Sequence, residues 1–388
     1  MKKVSRRDVG KIVAGVAAAG ALPRAADAQT PGTYPGPLGM PSSVPGYSFD
    51  PVAYTRERYA AAPRRLKFQA RTRAQAESWQ KTLRTKLTEL LGGFPTERVA
   101  LAPMKHETIQ LAGYRRDKVV FHTRAGMSVL AYVLIPEGVR GPVPTVICVP
   151  GHGRGVVDIV GIDDRGQERT SKAGYQHDFA IQVVEAGMAA VAIEPLGFGA
   201  RRDLITMRKG QGTSACQPAA GGAMLVGETI LGWRVWDVMR TVDYIQTRPE
   251  LDANRVGLMG ISGGGTVTLF GAALEPRIRA AMVSGYLNTF VDSIGSLSHC
   301  IDNYVPGILN WAEMHDIGGL IAPRPLFSEA GERDNIFPIK ASLESFNRVK
   351  EIYTVLGAAD RVEQEVFPEE HVFWGKRGIP FLAKHLSA

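Results

Sequence analysis

Cysteine is scarce in this chain, with three residues, Cys148, Cys216 and Cys300, among 388. So few cysteines exclude a fold held by a framework of disulfides, and an odd number cannot pair completely within one chain. Cys148 lies in an apolar run and is expected to be a buried thiol. Cys216 and Cys300 lie in two long connections. The sequence leaves open whether they form a disulfide after export or stay as free thiols.

Metal-binding patterns are also missing from the sequence. No pair of histidines has the helical i,i+4 spacing, and cysteines and histidines do not cluster along the chain as they do in metal sites. We therefore predict neither a metal nor another cofactor.

No apolar run is long enough for a membrane-spanning helix, which needs about 20 residues. The apolar stretch 12–22 is shorter, follows the pair Arg6 and Arg7, and precedes a small-residue cleavage pattern at residues 26–28. These features predict a twin-arginine-type signal peptide over residues 1–28. The mature protein is then expected in the periplasm or outside the cell, without stable insertion in the membrane.

Excess charge is modest. The formal net charge is +8, and the basic residues of the predicted signal peptide contribute part of it. Beyond residue 28 there is no dense run of lysine and arginine, so a nucleic-acid partner is not predicted. The composition does not indicate an oligomeric state.

The chain does contain a series of apolar runs separated by helical patterns. Several runs are apolar throughout, which is typical of strands buried on both faces of a parallel sheet. The alternation with helical spacing predicts an α/β fold with a mostly parallel central sheet and helices on both faces. Strands are predicted at residues 118–121, 127–135, 146–149, 189–193, 256–259, 280–283, 326–330 and 362–367, and helices at 74–91, 179–186, 230–246, 266–274 and 339–356.

Residues 260–264 read Gly-Ile-Ser-Gly-Gly and join a predicted strand to a predicted helix. A serine at such a turn has its hydroxyl exposed at the edge of the sheet, where it acts as a nucleophile. Glycine at positions 260 and 264 avoids a Cβ that would crowd the turn. Ser262 is therefore the predicted nucleophile.

A nucleophilic serine needs a base, and the base needs an acid that orients it. Asp334 and His371 each follow a predicted strand, so both are expected at the same sheet edge as Ser262. Nucleophile, acid and histidine in this chain order are typical of one large class of serine hydrolases. We predict Asp334 as the acid and His371 as the base, with Glu332 as the nearest competitor for the acid.

This chemistry also needs backbone N–H groups that bind the oxyanion. One donor is predicted at Gly263, directly after the nucleophile. The other is predicted in the glycine-rich loop 151–155, at Arg154 or otherwise at Gly153. His152 precedes the serine and is expected to shape this loop rather than to act as the base.

With these motifs, the chain resembles the α/β-hydrolase superfamily. Within it, the chain is similar to the secreted bacterial esterase-like group related to dienelactone hydrolases and acetyl xylan esterases. The resemblance implies an α/β-hydrolase fold with long lid loops and a serine carboxylic-ester hydrolase acting on acetylated carbohydrate or other small esters. The pieces that carry it are residues 151–153, 233–237, 260–265, 331–334 and 370–371.

The chain also departs from its relatives. It has serine where dienelactone hydrolases have cysteine, and Gly263 where the acetyl xylan and cephalosporin deacetylases have glutamine. Two other functions stay open. A prolyl oligopeptidase-like peptidase usually carries a larger extra domain. A non-catalytic binding protein of this fold commonly lacks a member of the triad, and here all three are present.

The domain organisation follows from these predictions. Residues 29–107 are expected to form an N-terminal extension with an amphipathic helix, and residues 108–388 an α/β-hydrolase catalytic domain. Two long connections, 197–227 and 285–323, follow predicted strands. Long loops over the active face of such a sheet usually make lids and substrate walls.

Overall fold

The computed structural model describes residues 46–169, 171–172 and 174–387. The predicted signal peptide and the start of the predicted extension lie outside these residues. The chain divides into two compact units after Tyr54. None of the helices in the described part has both the length and the apolar character needed to cross a bilayer.

The larger unit is built on one sheet of nine strands. The strands are β1 (Met104–Leu111), β2 (Tyr114–Arg124), β3 (Met127–Pro136), β4 (Val143–Val149), β5 (Ala189–Ile193), β6 (Leu251–Ile261), β7 (Ile278–Ser284), β8 (Leu326–Gly331) and β9 (Val362–Phe367). They lie in the order β1-β2-β3-β5-β4-β6-β7-β8-β9. Pairing from β1 through β3 to β5 is antiparallel, and pairing from β5 to β9 across the rest of the sheet is parallel.

Helices cover both faces of this sheet because its central strands are apolar on both faces. Along β4, Ile147 and Val149 pack into one core and Val146 and Cys148 into the other. The helices are α1 (Pro51–Ala60), α2 (Arg73–Leu90), α3 (Phe179–Glu185), α4 (Leu204–Met207), α5 (Cys216–Leu225), α6 (Ile230–Gln246), α7 (Gly263–Leu274), α8 (Met314–Gly319), α9 (Ile339–Val355) and α10 (Gly378–Ser387).

The two cores belong to different helices. Helices α3 and α10 contribute side chains to one core, and helices α2, α6, α7, α8 and α9 to the other. Helix α2 begins at a capping box formed by Thr72 and Gln75, and it buries Leu83 and Leu87 in the second core. The predicted α/β-hydrolase fold is confirmed.

Strand β1 was not predicted from the sequence. Strand β1 is exposed along most of its length and has no alternating apolar pattern, so its only recognisable role is to pair with β2 at the sheet edge. It begins at Met104, within the segment predicted as the N-terminal extension.

The two long connections are partly structured. Residues 197–227 contain α4 and α5, and residues 285–323 contain α8. The second connection divides between two environments. His299 and Cys300 line a cavity at the carboxyl end of the sheet, whereas Met314, Ile317 and Leu320 are fully buried in the core.

Candidate active site

Ser262 lies at the turn between β6 and α7, at the carboxyl edge of the parallel strands. Its φ of 57° and ψ of −122° are strained values for a residue with a side chain. The Ser262 N–H donates to Ser284 O on the neighbouring strand at 3.1 Å, which fixes the turn. A Cβ on Gly264 would lie 1.9 Å from Val149 O, so glycine is required there.

Asp334 and His371 form a hydrogen-bonded pair, with His371 Nδ1 2.7 Å from Asp334 Oδ2. The other oxygen, Asp334 Oδ1, accepts the N–H groups of Ile336 and Phe337 at 2.8 and 2.9 Å. Both oxygens are therefore occupied and the carboxylate is buried. Glu332, the competing acid, is exposed.

The imidazole of His371 is held on two sides. It stacks between the rings of Tyr175 and Phe337, at centroid distances of 5.7 and 5.5 Å. It also lies over Gly285, where an added Cβ would be 2.9 Å from His371 Cε1. Its Nε2 is buried and has no hydrogen-bond partner among the described residues.

A cavity of about 380 Å³ brings Ser262 and His371 together, with Asp334 behind the imidazole. Aromatic rings and three histidines line it, which makes it partly apolar, and none of the described lining residues is a lysine or an arginine. Burial lowers the pKa of His299 in this wall. The lining residues are His152, Tyr175, Ser262, Leu297, Ser298, His299, Cys300, Asn303, Ile336, Phe337 and His371.

The predicted oxyanion donors have different environments. Gly263 is the first residue of α7, where backbone N–H groups have no intrahelical partner. The Arg154 N–H, by contrast, donates to Asp158 Oδ2 at 2.7 Å. This amide is already occupied, which argues against Arg154 as the second donor. The N–H groups of His152 and Gly153 have no partner among the described residues.

The side chain of His152 lies between the turn that carries Ser262 and a polar cluster. Its ring lies against Gly263, where an added Cβ would be 3.0 Å from His152 Cε1. Its backbone oxygen accepts the Tyr175 hydroxyl at 2.8 Å. On the far side, His152 Nε2 is 3.4 Å from Asp302 Oδ2 without a hydrogen bond between them, and this oxygen accepts a hydrogen bond from the buried guanidinium of Arg234.

Cys216 and Cys300 complete this cluster. Their sulfurs and the nearest ligand atoms of His152 and Asp302 all lie within 4.8 Å of one another. Sequence analysis missed the cluster because its members come from three separate connections, with no short-range spacing that indicates their meeting.

Glu329 is a second residue that sequence analysis missed. It is fully buried near the end of β8, and it accepts the Ser284 hydroxyl at 2.6 Å and the N–H groups of Trp374 and Gly375 at 3.0 and 2.9 Å. Burial raises the pKa of Glu329 to about 7. The carboxyl group ties the segment after His371 to the strand that supports Ser262. A glutamate inside an apolar strand was the available signal.

Comparison with known proteins agrees with this architecture. YtaP of Bacillus subtilis, which is assigned as a hydrolase, is 27% identical over 290 residues, covering 71% of this chain and 89% of that protein. The structure of a Bacteroides fragilis protein assigned as an acetyl xylan esterase superposes with a TM-score of 0.75 at 19% identity, over 92% of this chain and 98% of that one. A glucuronoyl esterase from Solibacter usitatus superposes with a TM-score of 0.63 at 14% identity, over 89% and 100%.

The sequence identities of 19% and 14% to these two solved structures establish a likeness of fold. The family assignment comes from the sequence model of the abhydrolase family, which matches residues 61–371. This match covers most of the chain and includes every residue of the candidate site. The chain therefore belongs to the abhydrolase family.

Proposed function

We propose that this protein is a serine carboxylic-ester hydrolase in which Ser262 is the nucleophile, His371 the base and Asp334 the orienting acid. The observation that carries the proposal is the pairing of His371 Nδ1 with the buried Asp334 carboxylate. This pairing leaves Nε2 free in the cavity that Ser262 lines. An imidazole with one nitrogen held and the other free is what a serine hydroxyl needs as its base.

In the first half of the reaction, Ser262 Oγ attacks the ester carbonyl carbon and its proton passes to His371 Nε2. Asp334 stabilises the imidazolium through Nδ1. His371 then gives this proton to the departing alcohol oxygen, which leaves the acyl group on Ser262. In the second half, His371 takes a proton from water as the water oxygen attacks the carbonyl carbon of the acyl-enzyme. His371 then returns this proton to Ser262 Oγ as the bond between Oγ and the acyl carbon breaks, which releases the carboxylic acid.

The negative charge on the former carbonyl oxygen is stabilised by backbone amides. The Gly263 N–H at the start of α7 is one donor, favoured by its position at a helix N-terminus. The second donor comes from the His152–Gly153 segment, whose N–H groups have no partner in the described part of the chain and whose His152 ring lies against Gly263. Loss of one such donor typically lowers turnover by about 10²–10³.

The substrate we propose is an acetylated carbohydrate or another small ester. Support comes from the fold likeness to proteins described as an acetyl xylan esterase and a glucuronoyl esterase. The cavity volume of about 380 Å³ is in the range that small-molecule ligands occupy. We further propose export through the twin-arginine route, on the basis of the sequence at residues 1–28.

A panel of esters tests the proposal. Purified wild-type protein and Ser262→Ala are compared on p-nitrophenyl acetate, acetylated xylan, a feruloyl ester and a methyl uronate. We expect hydrolysis of at least one ester by the wild type and a fall of about 10⁶-fold in turnover for Ser262→Ala. Equal rates for the two proteins would contradict the proposal.

A further inference from the structure

Two cysteines from distant parts of the chain meet beside the candidate active site. Cys216 is the first residue of α5, in the connection after β5, and it is fully buried. Cys300 lies in the connection after β7, is only partly buried, and lines the cavity that contains Ser262. Both thiols are free in the structure, and their sulfurs lie within 4.8 Å of each other.

The same sulfurs, with His152 and Asp302, have the composition of a zinc site. The position of Arg234 decides against that assignment. Its guanidinium is 2% exposed and donates to both Asp302 Oδ2 and, at 3.0 Å, Cys216 Sγ. A positive charge already occupies the two most buried ligands, so a dication would have to enter beside a buried cation.

Arg234 instead favours thiol chemistry. A hydrogen bond from Cys300 and the positive charge of Arg234 lower the pKa of Cys216. A thiolate is the nucleophile of thiol–disulfide exchange. Asp302 pairs with Arg234 whether the sulfurs are reduced or oxidised. Forming a disulfide therefore leaves neither Arg234 nor Asp302 as an unpaired buried charge.

We propose that Cys216 and Cys300 form a redox-active pair that oxidises to a disulfide, linking the connection after β5 to the connection after β7 at the wall of the active-site cavity. The oxidant is a disulfide, either of a small thiol or of a thiol-disulfide oxidoreductase. Cys148 is buried within β4 and takes no part.

The exchange proceeds in two balanced steps. The accessible Cys300 thiol first passes its proton to the Cys216 thiolate, to which it is hydrogen-bonded. The Cys300 thiolate then attacks the disulfide oxidant and forms a mixed disulfide, and the first thiolate released takes the proton from Cys216 and departs as a thiol. The Cys216 thiolate then attacks Cys300 Sγ, which forms the internal disulfide and releases the second half of the oxidant as a thiolate. Closing the sulfurs to the bond length of about 2 Å needs a movement of the two side chains or of the connections that carry them.

Thiol counting on the full chain tests this pair. The protein is equilibrated in glutathione buffers of increasing GSSG fraction, trapped with iodoacetamide in denaturant, and mapped by non-reducing peptide mass spectrometry. We expect three alkylated thiols in reduced protein and one, Cys148, in oxidised protein, with a linked peptide that contains Cys216 and Cys300. Cys148→Ser is the matched control and should still form the linked peptide, whereas Cys300→Ser should not.

Either of two results would overturn the inference. One is that Cys216 and Cys300 both stay alkylatable in excess GSSG. The other is that the wild type binds one Zn²⁺ per chain and this ion protects both thiols until a chelator removes it. The titration of the wild-type protein tests the disulfide even if a serine variant does not fold. It also does not depend on ester hydrolysis, so its failure would leave the proposed function untouched.

Discussion

His371 Nδ1 lies 2.7 Å from Asp334 Oδ2, although 37 residues separate the two in the chain. Strands β8 and β9 are neighbours in the parallel sheet, so the loops that follow them meet at one edge. The buried carboxylate therefore favours the imidazole tautomer that carries its proton on Nδ1 and leaves Nε2 unprotonated.

Removing the charge at position 334 tests this relationship. Asp334→Asn is expected to lower kcat by about 10⁴-fold, as the corresponding change does in another serine hydrolase, because an amide favours the wrong tautomer of the histidine. Steady-state kinetics on p-nitrophenyl acetate measure the effect. Glu332→Gln is the matched control, since Glu332 is exposed two residues away, and its kcat should stay close to wild type. A larger loss in the control than in Asp334→Asn would assign the acid to Glu332.

The turn that carries Ser262 depends on the lack of a side chain at Gly264. In Gly264→Ala the new Cβ would lie 1.9 Å from Val149 O, so the helix or the strand must shift. We expect a loss of about 3 kcal/mol in the free energy of unfolding, measured by denaturant titration. Gly222→Ala is the control, because that helical glycine has open space around its Cβ and should gain about 1 kcal/mol. Similar effects at the two positions would contradict the close packing of this turn.

The raised pKa of Glu329 leads us to expect that the stability of the fold depends on pH. Its pKa rises from the ordinary 4.5 to about 7 in the folded protein, so the folded state holds this proton more tightly than the unfolded state. The associated stabilisation is present below about pH 4.5 and is lost as pH rises through 7, by about 3 kcal/mol in total.

Glu329→Gln has no proton to lose at this position. Unfolding free energies from urea titrations at pH 5 and pH 8 should therefore fall less with pH in Glu329→Gln than in the wild type. The exposed Glu344→Gln should follow the wild type. If Glu329→Gln keeps the full wild-type pH dependence, the buried carboxyl is not the group that titrates.

Much of this arrangement was readable from the sequence because it depends on local patterns. The apolar runs of β4 to β8 identify strands buried on both faces, and parallel strands align their carboxyl ends. The positions of Ser262, Asp334 and His371 follow directly from those two facts. The strained turn at Ser262 also has a local signature, since close packing excludes every residue but glycine at position 264.

Contacts between distant loops were not readable in this way. At short range, the turn through which Asp158 takes the Arg154 amide, four residues away, was not readable either, because its three-residue 3-10 helix is too short to show an apolar period. The meeting of Cys216 with Cys300 depends on how two long connections fold over the sheet edge. Glu329 interrupts an apolar strand, but its three donors come from β7 and from the loop after His371.

The account depends most on the reactivity of Ser262, and covalent labelling with a fluorophosphonate measures it directly. The full-length protein is incubated with the probe, and the adduct is located by peptide mass spectrometry. We expect a single adduct on Ser262, absent in Ser262→Ala and formed far more slowly in His371→Ala. An unlabelled Ser262 in folded wild-type protein, or an adduct on another residue while Ser262→Ala still hydrolyses esters at the wild-type rate, would contradict the account.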